Sequence, residues 1–525
     1  MNTTGYYDDL AANLQQAFNK HYFDALVVVI AATAFICYNL FTYVAKGLKL
    51  PPGPPRSLIF GNMYDIPVAE EWKTYTKWTK KFGDIVYLRV FGTKMLLLGS
   101  YQVAHELLDK RSAIYSDRPI IPPMMDLAGF SNSVTVMGNN ADYRVRRRLF
   151  EQHFRYSFVH NHQPVQIRET HKLLRKYLKS PDTFLDDTKH TIGAIILDIV
   201  YGYRVTSDRD PWVETGERLG ATFVKLIQPG VWAVNALPVL RYAPTWFPFT
   251  EWKVFALTCA AHLKNQVHGQ FNMVKTAMRE GTANPSMVLR YLEENENGAD
   301  IPEKAIMEMA SDAYGAGVET TLTLVHGFLL QMTKNRDVQR KAQEELDRVC
   351  PDRLPIFDDR KKLPYIEAIG MEVGRWHPGA PQGIPHRLEK DDSFEGKFLP
   401  KGSIIVPNIW AMCHDEEIYK YPDVFDPDRF MKGDSIDTSV RDPRQMIFGF
   451  GRRQCPGRPL AEAQFFYTMA SVLKAFDILP PLDTEGREVV PPDVYRSGIV
   501  SLPLPFSCRI IPRSSEMAEL VRQTE

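Results

Sequence analysis

Residues Phe448–Pro459, FGFGRRQCPGRP, set one cysteine among glycines and arginines with a proline directly behind it. Gly451 and Gly457 permit backbone conformations and close approaches that other residues cannot make. Pro456 removes an amide hydrogen just behind the sulfur. Downstream, AEAQFFYTMASVLKAF (Ala461–Phe476) carries apolar residues at three- and four-residue spacing, which predicts an amphipathic helix. Cys455 therefore lies near a helix N-terminus, where the positive end of the dipole and free amide donors favour a thiolate. Such a sulfur is a nucleophile where a base stands beside it, or a metal ligand, and a buried apolar cysteine is the third reading. No cysteine-protease signature accompanies it.

As a lone sulfur ligand Cys455 suits haem iron, to which a thiolate donates the electron density that favours O–O cleavage. Phe448, Gly451, Arg453, Cys455 and Gly457 fit the pattern F-x-x-G-x-R-x-C-x-G. This pattern resembles the haem-thiolate signature of the cytochrome P-450 monooxygenases. The resemblance implies haem b (iron protoporphyrin IX), with Cys455 as axial iron ligand and Phe448, Arg453 and Gly457 in the cofactor-binding loop. It also implies a mainly α (α+β) protein, a single cytochrome P-450 fold with small β-sheets.

Other motifs follow in the order the resemblance implies. AGVETT (Ala316–Thr321) resembles the oxygen-activating stretch of the family's central helix. Mid-helix Gly315 and Gly317 each cost about 1 kcal/mol relative to alanine. A Thr320 hydroxyl can bond the carbonyl of Ala316 and open the helix there. The resemblance makes Glu319 and Thr320 the catalytic pair that relays protons. Glu372 and Arg375 form E-x-x-R on one helical face, and with Arg429 of PDRF (Pro427–Phe430) they are similar to the family's structural triad. Haem propionates need cationic or donor partners when partly buried, and the resemblance nominates Arg147, His386 and Arg453. Tyr143 stands where the family usually has tryptophan.

Composition bounds the rest. The 525 residues are 44% hydrophobic and 24% charged, which fits a large folded core. Lys plus Arg and Asp plus Glu stand at 63 each, so no global field favours nucleic acid. Six scattered cysteines form no zinc-ribbon or disulfide pattern, and those other than Cys455 need no function. The 21 residues from Ala25 to Ala45 carry no charge and are long enough to span a bilayer as an N-terminal transmembrane helix. Asp8, Asp9 and Asp24 precede it, while Lys46, Lys49 and Arg56 follow it and place the bulk in the cytosol. The expected organisation is a lumenal segment over 1–24, an anchor over 25–45, a basic, proline-rich hinge over 46–56 and a haem-thiolate catalytic domain over 57–525. IVYLRVFGTKMLLLGS (Ile85–Ser100) and FEGKFLPKGSIIVPN (Phe394–Asn408) each predict a hairpin.

No glycine-rich dinucleotide fingerprint stands in a strand-turn-helix setting, so electrons must come from outside. The resemblance implies an NADPH-cytochrome P-450 reductase, with cytochrome b5 as an optional second donor. Arg144, Arg146, Arg147, Arg148, Arg452 and Arg458 are expected to offer it a basic face. Three stretches are expected to wall the substrate pocket: Tyr115–Phe130, Ala221–Phe249 and His377–His386. Their apolar character favours a lipophilic substrate and contact with membrane lipid. RDPRQMIFGFGRRQCPGRPLAEA looks most like fungal microsomal members that tailor secondary metabolites such as terpenoids, polyketides or alkaloids, which implies the endoplasmic reticulum membrane. Two other readings keep the haem: an isomerase or dehydratase that needs no reductase, and a non-catalytic sensor. Glu319 with Thr320 speaks against both.

Overall fold

The helix Glu303–Lys334 runs 32 residues and is buried along most of its length in the computed structural model of the protein. The structure describes residues 49–57, 60–90, 92–227, 232–236, 238–247 and 250–524, with Ile30 and Thr33. Helices Phe184–Tyr201, Arg458–Ala475, Ala141–Phe154, Pro211–Ile227 and Pro364–Trp376 pack around this central helix. Phe184–Tyr201 carries the polar stretch DDTKH near its start and is buried on every side from Thr191 to Tyr201, the pattern of a helix end enclosed by others. It stops at Gly202, whose φ of +68° closes the helix and whose position leaves no room for a Cβ, 2.7 Å from the Asn284 carbonyl. The helix starting at Arg458 bears out the helical reading but not the amphipathic one, since every residue from Ala463 to Ala475 is buried, whereas Arg336–Val349 is an amphipathic helix.

The main sheet has four strands in the order Ile85–Val90, Thr93–Leu98, Ile404–Pro407, His386–Arg387. The first two form the expected hairpin, with Ile85 opposite Leu98 and Val90 opposite Thr93. The second expected hairpin is divided. Asp392–Phe394 pairs with Lys397–Leu399, but Ile404–Pro407 leaves that ribbon and runs parallel to Thr93–Leu98, with Met95 opposite Ile404. Alternation alone could not tell a local partner from a strand some 300 residues away. The sheet's last strand carries His386, which fixes that imidazole beside the ligand loop.

A large helical core and a second core between sheet, triad helix and ligand loop fill the interior. Among the described residues no helix is long and apolar enough to cross a membrane. The expected span over 25–45 lies outside the described residues except for Ile30 and Thr33.

Candidate active site

The ligand loop is built by glycine. Gly449 and Gly451 take φ of +76° and +52°, and a Cβ at 451 would lie 2.4 Å from the Leu108 carbonyl, so the loop can pack there only without a side chain. The Cys455 amide donates to the Phe448 carbonyl at 2.8 Å, closing the turn. Gly457 precedes the helix Arg458–Ala475, and a Cβ on it would touch the Cys455 sulfur at 3.9 Å. Of the five described cysteines Cys455 alone is exposed. Burial nonetheless pushes its thiol up, against the Gly457 amide, the Arg147 charge and the Arg458 amide, which pull the other way. Exposure and burial are reconciled if the sulfur faces internal space rather than bulk water. The pull of the helix start, expected from the sequence, is therefore present but outweighed. A thiolate here needs a positive partner, which a ferric ion supplies.

The central helix opens on one side. Ala313, Tyr314, Val318 and Thr321 are buried, while Gly315, Ala316 and Thr320 between them are exposed, and a Cβ on Gly315 would meet nothing within 4 Å. Thr320 donates its hydroxyl to the Ala316 carbonyl at 2.8 Å, the bond anticipated from the sequence. Glu319 turns elsewhere: its Oε2 accepts from Nη2 of Arg496 at 3.0 Å.

Three cationic or donor groups meet between the ligand loop and the sheet. Arg453 donates from Nε to the Ser116 carbonyl (2.7 Å) and from Nη2 to that of Met137 (2.9 Å). Arg118 donates to the carbonyls of Thr135, Ile384 and Pro385. His386 donates Nδ1–H to the Tyr115 carbonyl at 2.7 Å. Burial and the Arg453 charge lower Arg118 to about 9. Burial and the Arg118 charge push His386 well below the ordinary histidine range. Arg453 is lowered by its own burial. Positive groups that burial and mutual repulsion disfavour in this way call for an anion. Arg147 stands at the edge of this group, its charge acting on both Arg453 and Cys455, and donates Nη1 to the Gln454 carbonyl at 2.5 Å and Nε to Glu151 at 2.7 Å.

The structure adds Arg118 and Arg496 to the residues named from the sequence. Arg118 had a signal, a lone cation in the apolar run YSDRPIIPPMM; Arg496 had none. The basic face is smaller than expected. Arg144, Arg148 and Arg452 are exposed, but Arg146 turns inward to Glu308 at 2.5 Å, and Arg458 is paired to Glu462 at 2.7 Å. A helix carrying four arginines in five positions cannot present all of them to one side.

Glu372, Arg375 and Arg429 sit together in the core. Arg375 grips Glu372 through Nε (2.7 Å) and Nη2 (2.8 Å), both side chains fully buried, and Arg429 Nε lies 3.2 Å from the same carboxylate. Two of the expected pocket walls meet as well. Met124, Met125 and Ala128 pack with Leu226 and Val234, joined by Ile121, Phe130 and Phe223.

A dianionic, flat metal complex answers both the buried cations and the thiol, so the residues present fit haem. Fold and site thus define the class of haem-thiolate oxygenases. The chain belongs to the cytochrome P-450 family, whose sequence model matches residues 51–508. It is 39% identical over 502 residues to cytochrome P-450 monooxygenase 208 of Postia placenta, covering 94% of this chain and 96% of that protein. It is 36% identical to cytochrome P-450 monooxygenase claR of Ampulloclitocybe clavipes, over 94% of this chain and 92% of the other. The same identity holds to cytochrome P-450 monooxygenase COX1 of Coprinopsis cinerea, over 95% and 99%. The protein is accordingly a monooxygenase, and proteins of this family use thiolate-ligated haem.

Proposed function

We propose that the protein is a membrane-anchored monooxygenase that oxidises a lipophilic small molecule of fungal secondary metabolism with electrons from an NADPH-cytochrome P-450 reductase. Cys455 would hold the haem iron through its sulfur, and Arg453, His386 and Arg147, the three nominated from the sequence, would hold the propionates together with Arg118. Arg147 braces the ligand loop through the Gln454 carbonyl. Bound haem supplies the redox chemistry that activates dioxygen and transfers one of its oxygen atoms. The protein's own work is to seat the substrate and to move protons. Thr320, bonded to Ala316 beside the open face at Gly315, holds a proton at Oγ1, and Glu319 resupplies it from the outer side.

The observation that carries this reading is the convergence of Arg118, Arg453 and His386, buried and in no ion pair among the described residues, with Asp117 the nearby anion already paired to Arg387, beside the loop whose cysteine is exposed. The anchor over 25–45, with the catalytic domain on the cytosolic side of the endoplasmic reticulum, is supported by the charge asymmetry of its flanks. Exposed Val239, Tyr242, Trp246 and Phe247 near one pocket wall give the domain an apolar face for lipid.

The test is reconstitution of the full chain with the reductase, NADPH and an extract of fungal terpenoids, polyketides and alkaloids under isotopic dioxygen. Label entering a product only when reductase and NADPH are both present is expected. Products formed equally without them contradict the reading.

A further inference from the structure

Glu319 is held from a direction that the proton-relay reading does not use. Among the described residues its carboxylate is bonded by Arg496, which spends one of its five N–H donors on this bond, while the Arg496 Nε is buried with no partner among them. The Glu319 side chain is 14% exposed and the Arg496 side chain 39%.

Arg496 belongs to the segment Asp493–Leu502, which is tied at several points. Asp493 accepts from Gln331 Nε2 at 3.1 Å and from Trp376 Nε1 at 2.9 Å. Tyr495 stacks on His377 with centroids 3.6 Å apart. The Arg496 carbonyl accepts from Ser501 Oγ at 2.7 Å, and the Ser501 amide donates to the Gly379 carbonyl at 2.9 Å. Gly379 in turn lies against Thr323 and the Thr320 carbonyl. The segment therefore abuts the Thr320 groove with its backbone and neighbouring side chains bonded, and Arg496 reaches Glu319 from it on a long side chain that is 39% exposed.

We infer that Arg496 is a positioning residue that restrains Glu319 away from the Thr320 groove, so that displacement of the Arg496 side chain by a seated substrate releases the carboxylate for proton delivery. This rests on the reading of Glu319 as the proton relay. An acid one residue from Thr320 delivers protons only when its side chain can turn inward, and the 3.0 Å ion pair prevents that turn. Substrate-free turnover, which wastes reducing equivalents as peroxide or water, is thereby suppressed.

The test uses the full chain loaded with haem and coupled to the reductase, without substrate. NADPH consumption and peroxide release are measured for wild type, R496Q, R496K, E319Q and the double variant. R496Q is expected to raise consumption at least about five-fold, the lower range for coupled sites. R496K is expected to stay near wild type, because it keeps the cation. Without substrate E319Q is expected to match wild type, because Arg496 already holds that carboxylate out of the groove, and R496Q is expected to add nothing in that background, since there is then no carboxylate to release. Hydrogen exchange over 493–502 is expected to be unchanged in R496Q. An equal R496Q effect with and without Glu319, no R496Q effect, or loosened exchange over 493–502 overturns the inference while leaving the relay intact. With the substrate-bearing extract added, labelled product formed by E319Q at the wild-type rate overturns the relay itself and the inference with it.

Discussion

The Arg453 guanidinium lies 3.7 Å from the centre of the Tyr143 ring, while the Tyr143 hydroxyl donates to the Arg452 carbonyl at 2.9 Å. One side chain thus holds helix Ala141–Phe154 against the ligand loop twice, by its face and by its tip. Where the family usually has tryptophan, this chain spends its polar tip on the loop backbone. Removing the hydroxyl leaves the stacked arginine in place and orphans the carbonyl. Y143F is expected to cost about 1 kcal/mol, the net worth of a single hydrogen bond, while haem content stays at the wild-type level. Thermal unfolding with pigment quantification checks both.

Glu372 accepts both Arg375 contacts and the Asp426 amide, at 2.8 Å, in full burial. E372A leaves Arg375 as an uncompensated buried charge, a loss of about 3–5 kcal/mol. Its expected outcome is loss of folded, pigment-bearing protein at growth temperature. A soluble, haem-loaded E372A of wild-type yield would show that the triad is dispensable.

Asp312, one turn before Ala316, accepts the Val134 amide at 2.7 Å and ties the loop before helix Ala141–Phe154 to the central helix. Burial raises its carboxyl from 3.8 to about 7, with the Val134 amide, Ser133 and Arg146 opposing and Glu308 assisting. The folded protein therefore binds a proton that the unfolded chain releases between these values. The associated stability is present in full below 3.8 and is lost as pH rises through about 7. Melting temperatures at pH 6 and pH 8 are expected to differ less in D312N than in wild type. An identical drop in both removes Asp312 as the cause.

Arg118 faces Arg453 and His386 at the place assigned to the propionates. R118Q keeps a donor but loses the charge, worth about 1.5–3 kcal/mol in a charge-assisted bond. Haem transfer from the loaded protein to an excess of apomyoglobin is expected to accelerate about ten-fold or more. The optical bands of the retained haem should be unchanged, because Cys455 is untouched.

Much of this site was legible because its chemistry is local in sequence. The turn around Cys455, the Thr320–Ala316 bond and the Glu372–Arg375 pair all follow from spacing within a few residues, and the structure places these residues together. What escaped was set by distance along the chain. Arg496 reaches Glu319 across 177 positions, and Ile404–Pro407 takes a partner that alternation cannot specify. Arg146 and Arg148 are indistinguishable in the string RVRRRLF, yet one pairs with Glu308 in the interior and the other faces solvent. Only the packing of the helix decides between them.

The central claim is that the Cys455 sulfur ligates haem iron as a thiolate. The most direct test is the absorption spectrum of the reduced protein under carbon monoxide, taken for wild type and C455S. A strongly red-shifted Soret band in wild type, absent from C455S, is the predicted result. The same red-shifted band in both proteins, or a histidine-type spectrum in wild type, would contradict it.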